Sequence, residues 1–102
     1  MTDHEPTPIE RTQLIEIALN TYKSDSQNLV EISQLDHNIV KIDSEIGQDA
    51  AIKPHLDDLR NSLVALKDTH RTKSQEAEKA ALESAAAANL RLRGAIAEKL
   101  RG

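Results

Sequence analysis

Residues 32–66 read ISQLDHNIVKIDSEIGQDAAIKPHLDDLRNSLVAL. Ile32, Leu35, Ile39, Ile42 and Ile46 follow one another by 3, 4, 3 and 4 residues. That spacing lays them in one stripe along a helix, as in a coiled-coil seam. Gly47 comes next and can take the left-handed conformation that stops a helix. Residues 48–53 form a short connection, and Pro54 suits the opening turn of a second helix. Asp57 and Asp58 then fall in its first turn, where the helix dipole favours carboxylates. Leu56, Leu59, Leu63 and Leu66 repeat the spacing as 3, 4 and 3. Two seams joined by so short a connection lie antiparallel. The predicted fold class is all-α: a long antiparallel helical hairpin, coiled-coil-like.

Working outward, Thr7-Pro8-Ile9-Glu10 is a helix start with a mechanism. Thr7 caps, Pro8 takes the first helical position, and Glu10 stands three residues after the cap. Residues 1–6 are read as a disordered tail and residues 7–102 as a single domain. Leu14, Ile15, Ala18, Leu19 and Tyr22 continue the apolar spacing. Residues 23–28 are polar and weak in helix propensity. Ser24 and Gln27 have capping-box spacing there, but no Gly or Pro marks a break. Helix 1 is therefore expected over about 8–46, continuous or kinked, with the turn at 47–53. Helix 2 is expected over about 54–100. Between His70 and Ala81 its seam is polar and small, carried by His70, Ser74 and Ala77, with the longer average spacing of an 11-residue repeat. Counting outward from the turn sets Ile39 opposite residues 61–63 and Leu14 opposite residues 85–88. Forty helical residues span about 60 Å. So slender a rod has almost no interior, and self-association into a homodimeric bundle, or a bound partner, is expected to complete it.

Composition limits the alternatives. The 102 residues include one aromatic, Tyr22, and no cysteine, so no disulfide scaffold or thiolate zinc site is possible. No apolar run approaches the roughly 18–20 residues of a membrane span. The acidic start, Met1-Thr2-Asp3-His4-Glu5, is no secretory signal, and a cytoplasmic location is expected. The net charge of −4 is unevenly spread. Residues 1–50 hold 10 acids and 3 bases, and residues 51–102 hold 7 acids and 10 bases. Opposite signs on the two arms suit their lying side by side. An acidic chain without interleaved aromatics is a poor nucleic-acid binder.

The residues that carry chemistry do not assemble into a motif. His4, His37, His55 and His70 stand alone, none preceded by a Glu at the three-residue spacing of carboxylate-bundle metal sites. Gly47, Gly94 and Gly102 are isolated, so there is no phosphate loop. The reading is of a protein that is not an enzyme, with no cofactor and no metal site.

The informative segment is the last helix. Leu82, Ala85, Ala86, Asn89, Leu92, Ile96 and Leu100 share an apolar frame, with Leu90 and Arg93 beside it. The alanines let another helix approach closely, and Asn89 can fix register through a buried hydrogen bond. These nine residues are the candidate partner-binding set, taking an amphipathic helix of a client or of a second copy.

Ala-Asn-Leu-Arg-Leu-Arg-Gly-Ala-Ile at 88–96, Leu-Ile-Glu-Ile-Ala-Leu at 14–19 and Lys-Ser-Asp-Ser-Gln-Asn-Leu at 23–29 together resemble the flagellar export chaperones of the FlgN and FliT type. The resemblance implies a small cytoplasmic helical protein that holds a helical segment of a late flagellar subunit and delivers it to the export apparatus. It places Asn89, Leu90, Leu92 and Gly94 on the client-holding helix. The function expected is thus a helical protein-binding module of export-chaperone kind. The alternative is a homo-oligomeric coiled-coil scaffold or spacer.

Overall fold

The computed structural model describes residues 6–24 and 29–101, the side chains of Leu29 and His70 excepted. Its first helix starts where the capping box sets it. The Thr7 N–H donates to Glu10 Oε1 at 2.8 Å, and the Glu10 N–H donates to Thr7 Oγ1 at 3.2 Å. The described residues form four helices: α1 (Pro8–Ser24), α2 (Leu29–Ile46), α3 (Lys53–Thr72) and α4 (Gln75–Arg101). Both α1 and α3 pack against α2 and α4. The result is an up-down-up-down bundle, without strands among the described residues. No helix there is long and apolar enough to cross a membrane.

The all-α class and the hairpin pairing hold, but each predicted long helix is two. The hairpin is folded double, so that α1 meets α2 and α3 meets α4. Ile15, Leu19, Tyr22, Leu35, Ile39, Ile42, Leu56, Leu59, Leu66, Leu92 and Ile96 are buried in one core. The interior expected from a second molecule is closed within one chain. The longest dimension is 43 Å, short of the roughly 60 Å that a forty-residue helix needs.

The break in the predicted helix 2 falls at Lys73, which is left-handed (φ 57°, ψ 31°) and donates its N–H to Thr69 O at 2.7 Å. Ser74 then caps α4, its Oγ accepting the Ala77 N–H at 3.2 Å. The change of seam spacing after residue 70 is therefore a change of helix. Thr69 ends the buried stripe of α3, Ala77 is exposed, and Ala81 opens the stripe of α4. The assignment of His70 to the seam concerns a side chain outside those described. In the predicted helix 1, α1 ends at Ser24 and α2 begins at Leu29; the expected continuity or kink, like the capping role of Gln27, falls on residues 25–28, outside the described ones. So does nearly all of the tail predicted over residues 1–6.

Two local expectations are corrected. Gly47 is not left-handed; a Cβ there would collide with the side chain and backbone of Asp43, so space is what requires glycine. Asp57 and Asp58 lie beyond the first turn of α3, which starts at Lys53 and has no acid in that turn. The register is as counted. Asp43–Arg60 (3.4 Å) and Asp36–Lys67 (3.9 Å) bracket the level at which Ile39 faces residues 61–63. At the bundle end, the Asp49 carboxylate takes the Ala51 N–H at 2.8 Å and pairs with Lys99. The Lys99 hydrogen bond, with help from that N–H, holds Asp49 below its ordinary pKa of 3.8.

Candidate functional site

The nine candidate residues on α4 separate into a buried row, a groove row and an end. Ala85, Asn89, Leu92 and Ile96 are buried. Their surface is buried within the chain's own core and is not a surface for a partner. Leu82, Ala86 and Leu90 line an open groove between α1 and α4. Arg93 ties α4 to α1 near the foot of that groove. Leu100 is exposed in the last turn of α4.

The tie is polar and register-specific. Asn89 Nδ2 donates to Thr12 O at 2.9 Å. Arg93 Nε donates to Thr12 Oγ1 at 3.1 Å, and its Nη2 donates to Glu16 Oε1 at 3.0 Å. Asn89 thus sets register as its place on the stripe predicts, with α1 as the helix it grips. Sequence reasoning missed the other half of this layer. Arg11 is 3% exposed and Asn38 is 3% exposed, and Arg11 Nη1 donates to Asn38 Oδ1 at 3.2 Å. Arg11 Nε and Asn89 Oδ1 have no hydrogen-bond partner among the described residues. The signal was present in phase: Arg11 stands four residues before Ile15, and Asn38 lies between Leu35 and Ile42 at steps of 3 and 4.

The α1–α4 groove holds about 260 Å³ between Leu19, Asn20 and Lys23 of α1 and Gln75, Glu78, Lys79, Leu82, Glu83 and Ala86 of α4. A recess of about 80 Å³ continues it past Glu16, Asn89 and Leu90, sharing Leu19, Asn20 and Ala86. From Gln75 to Leu90 the seam runs ~22 Å along α4, four turns of helix. Its floor is Leu19, Leu82 and Ala86. Leu90 stands at its lower rim, 62% exposed.

Charge is ordered along it. Glu16 is held by Arg93. Glu78 accepts a hydrogen bond from Tyr22, the buried aromatic beneath the upper end. Burial raises the Tyr22 pKa above its ordinary 10.0, and the Glu78 charge raises it further. Lys23, Lys79 and Glu83 make no ion pair among the described residues. No three His, Asp or Glu side chains among those residues gather into a metal-binding group. Comparison with protein-family models, with curated proteins and with solved structures returns no match to this chain.

Proposed function

We propose that this chain is a non-enzymatic protein-binding module whose α1–α4 groove takes an amphipathic helix of a partner protein. The observation that carries this reading is the open, four-turn seam floored by Leu19, Leu82 and Ala86, with Leu90 exposed at its rim. An interhelical groove with apolar residues one turn apart matches the i, i+3/i+4 anchors of a docked helix. The sequence resemblance to flagellar export chaperones gives the reading its cellular form: a cytoplasmic protein that shields an amphipathic segment of an exported subunit until delivery. Leu82, Ala86, Leu90 and Arg93 remain as partner-binding residues. Ala85, Leu92 and Ile96 belong to the core, Asn89 fixes the register of α4 against α1, and Leu100 has no part in the groove.

The test uses a photo-crosslinking residue placed at Ala86, in the groove, or at Val64, exposed on α3. The expected result is an adduct of one defined foreign mass from Ala86, none of that mass from Val64, and its loss on Leu90→Asp. Equal adducts from both positions would contradict the reading.

A second reading is a homo-oligomeric scaffold. It is favoured by Val40 and Val64, both exposed on α2 and α3 near the level of the Asp43–Arg60 and Asp36–Lys67 pairs. On that reading the Val64 adduct has twice the chain mass.

A further inference from the structure

We infer that the α3–α4 turn is a hinge: straightened into one continuous helix, it exchanges α4 between two copies of this chain. The turn is nearly a helix already. The Lys73 N–H donates to Thr69 O at 2.7 Å, and the Glu78 N–H donates to Ser74 O at 3.0 Å. Both bonds have the four-residue step of an α-helix. Between Lys53 and Arg101 only Lys73 and Ser74 stand outside helix. Lys73 is the one non-glycine residue with positive φ among the described residues. Its left-handed backbone carries a Cβ–carbonyl clash that a helical backbone relieves. Residues 69–77 contain no glycine or proline to oppose that change. Short strained connections of this kind favour the exchange of an element between copies.

The packing of α3 on α4 is centred on the hinge. Ser62 Oγ and Ser84 Oγ lie 2.9 Å apart, and residue 73 is midway between them in the chain. Two copies with α3 and α4 continuous, laid antiparallel about a two-fold axis at residue 73, bring each Ser62 back beside a Ser84, now of the other copy. In the single chain α4 packs against α3 and α1. In the exchanged dimer it meets the same faces on the other copy, and the same residues form each core. Each α1–α4 groove then takes one wall from each chain. Residues 70–77, where the two junctions meet, hold no large apolar residue, so the junction adds little of its own. The balance falls to the hinge. Joining the helices relieves Lys73, whereas the Ser74 cap on α4 and the entropy of association favour the single chain. Exchange also requires α4 to leave the core, so folded monomers do not interconvert at rest and the dimer forms during refolding.

The chain has no cysteine, so Ser62→Cys/Ser84→Cys places its only thiols at facing positions, within disulfide reach. This full-length variant is unfolded in urea with reductant, refolded over a range of chain concentrations and then oxidised. On a non-reducing gel a disulfide within one chain runs as a monomer, and disulfides between exchanged chains run as a covalent dimer. A minor dimer band that grows with refolding concentration is expected. Adding Ser74→Ala removes the cap and favours continuous helix. It is expected to raise the dimer fraction about tenfold, because two caps are lost per dimer. Adding Lys73→Gly, which suits the left-handed turn and weakens a helix, is expected to abolish the band. Monomer bands alone at every concentration, with Ser74→Ala included, would overturn the hinge. So would a dimer band that neither hinge substitution changes. A dimer mass in light scattering whose chains separate on the non-reducing gel would overturn it too, since that is contact between intact bundles.

Discussion

Three polar side chains buried among aliphatic neighbours define the layer that holds α1 in place. Asn89 grips the Thr12 carbonyl, and Arg11 reaches Asn38 with its Nε left unpaired. A buried guanidinium whose acceptor is a neutral amide is a poor source of stability, while leaving it with no acceptor is worse. Asn38→Leu alone is therefore expected to cost about 2–3 kcal/mol in urea unfolding. Adding Arg11→Met should restore wild-type stability or exceed it, because both polar groups are then gone. A double variant as unstable as the single one would show that Arg11 has another partner. Gly94 offers the opposite case. It sits exposed inside α4, and a Cβ there meets nothing within 4 Å. Gly94→Ala should gain about 1 kcal/mol from helix propensity, read as a higher urea midpoint at unchanged slope. Tyr22 adds a pH dependence. Its folded pKa is raised above 10.0, first by burial and then by Glu78. Its contribution is therefore intact below pH 10 and lost as pH rises through the folded pKa. Tyr22→Phe should flatten the alkaline limb of stability against pH, and an unchanged limb would remove Tyr22 as its cause.

At the scale of elements, the turn between α3 and α4 shows why the sequence was only partly legible. The capping box at Thr7 and Glu10, the α2 and α3 seams and the turn between them could all be read, because each rests on local chemistry. The break at Lys73 carries no glycine and no proline. A lysine in the left-handed region pays the Cβ–carbonyl clash of roughly 1–2 kcal/mol, and tertiary packing of α4 against α3 and α1 outweighs it. No scan for helix stops flags such a residue, although the drift of the seam spacing after residue 70 was its trace. Lys73→Gly is accordingly expected to stabilise the fold by about 1 kcal/mol. Ser74→Ala should cost about 1 kcal/mol through loss of the α4 cap. Calorimetric melting of both variants checks the pair, and opposite signs would place the break elsewhere. The candidate site was half legible for the same reason. The apolar stripe of α4 was visible, but which of its edges faces α1 depends on the fold being doubled. Ala85, Asn89, Leu92 and Ile96 went inward, while Leu82, Ala86 and Leu90 were left at the groove.

For the whole molecule, doubling the hairpin changes what the chain needs from others. A two-helix rod must have its apolar edge covered by another molecule, whereas the doubled hairpin buries Leu92 and Ile96 in its own core. The proposed partner binding then rests on the α1–α4 groove and does not follow from an unfinished core. The most direct test is the concentration dependence of mass and melting, by light scattering and calorimetry of the pure chain from dilute to concentrated solution. The closed bundle predicts a single species of 11.3 kDa and one cooperative transition whose midpoint does not move with concentration. A dimer mass, or a midpoint that climbs with concentration, would contradict it and return the α4 stripe to an interface between chains.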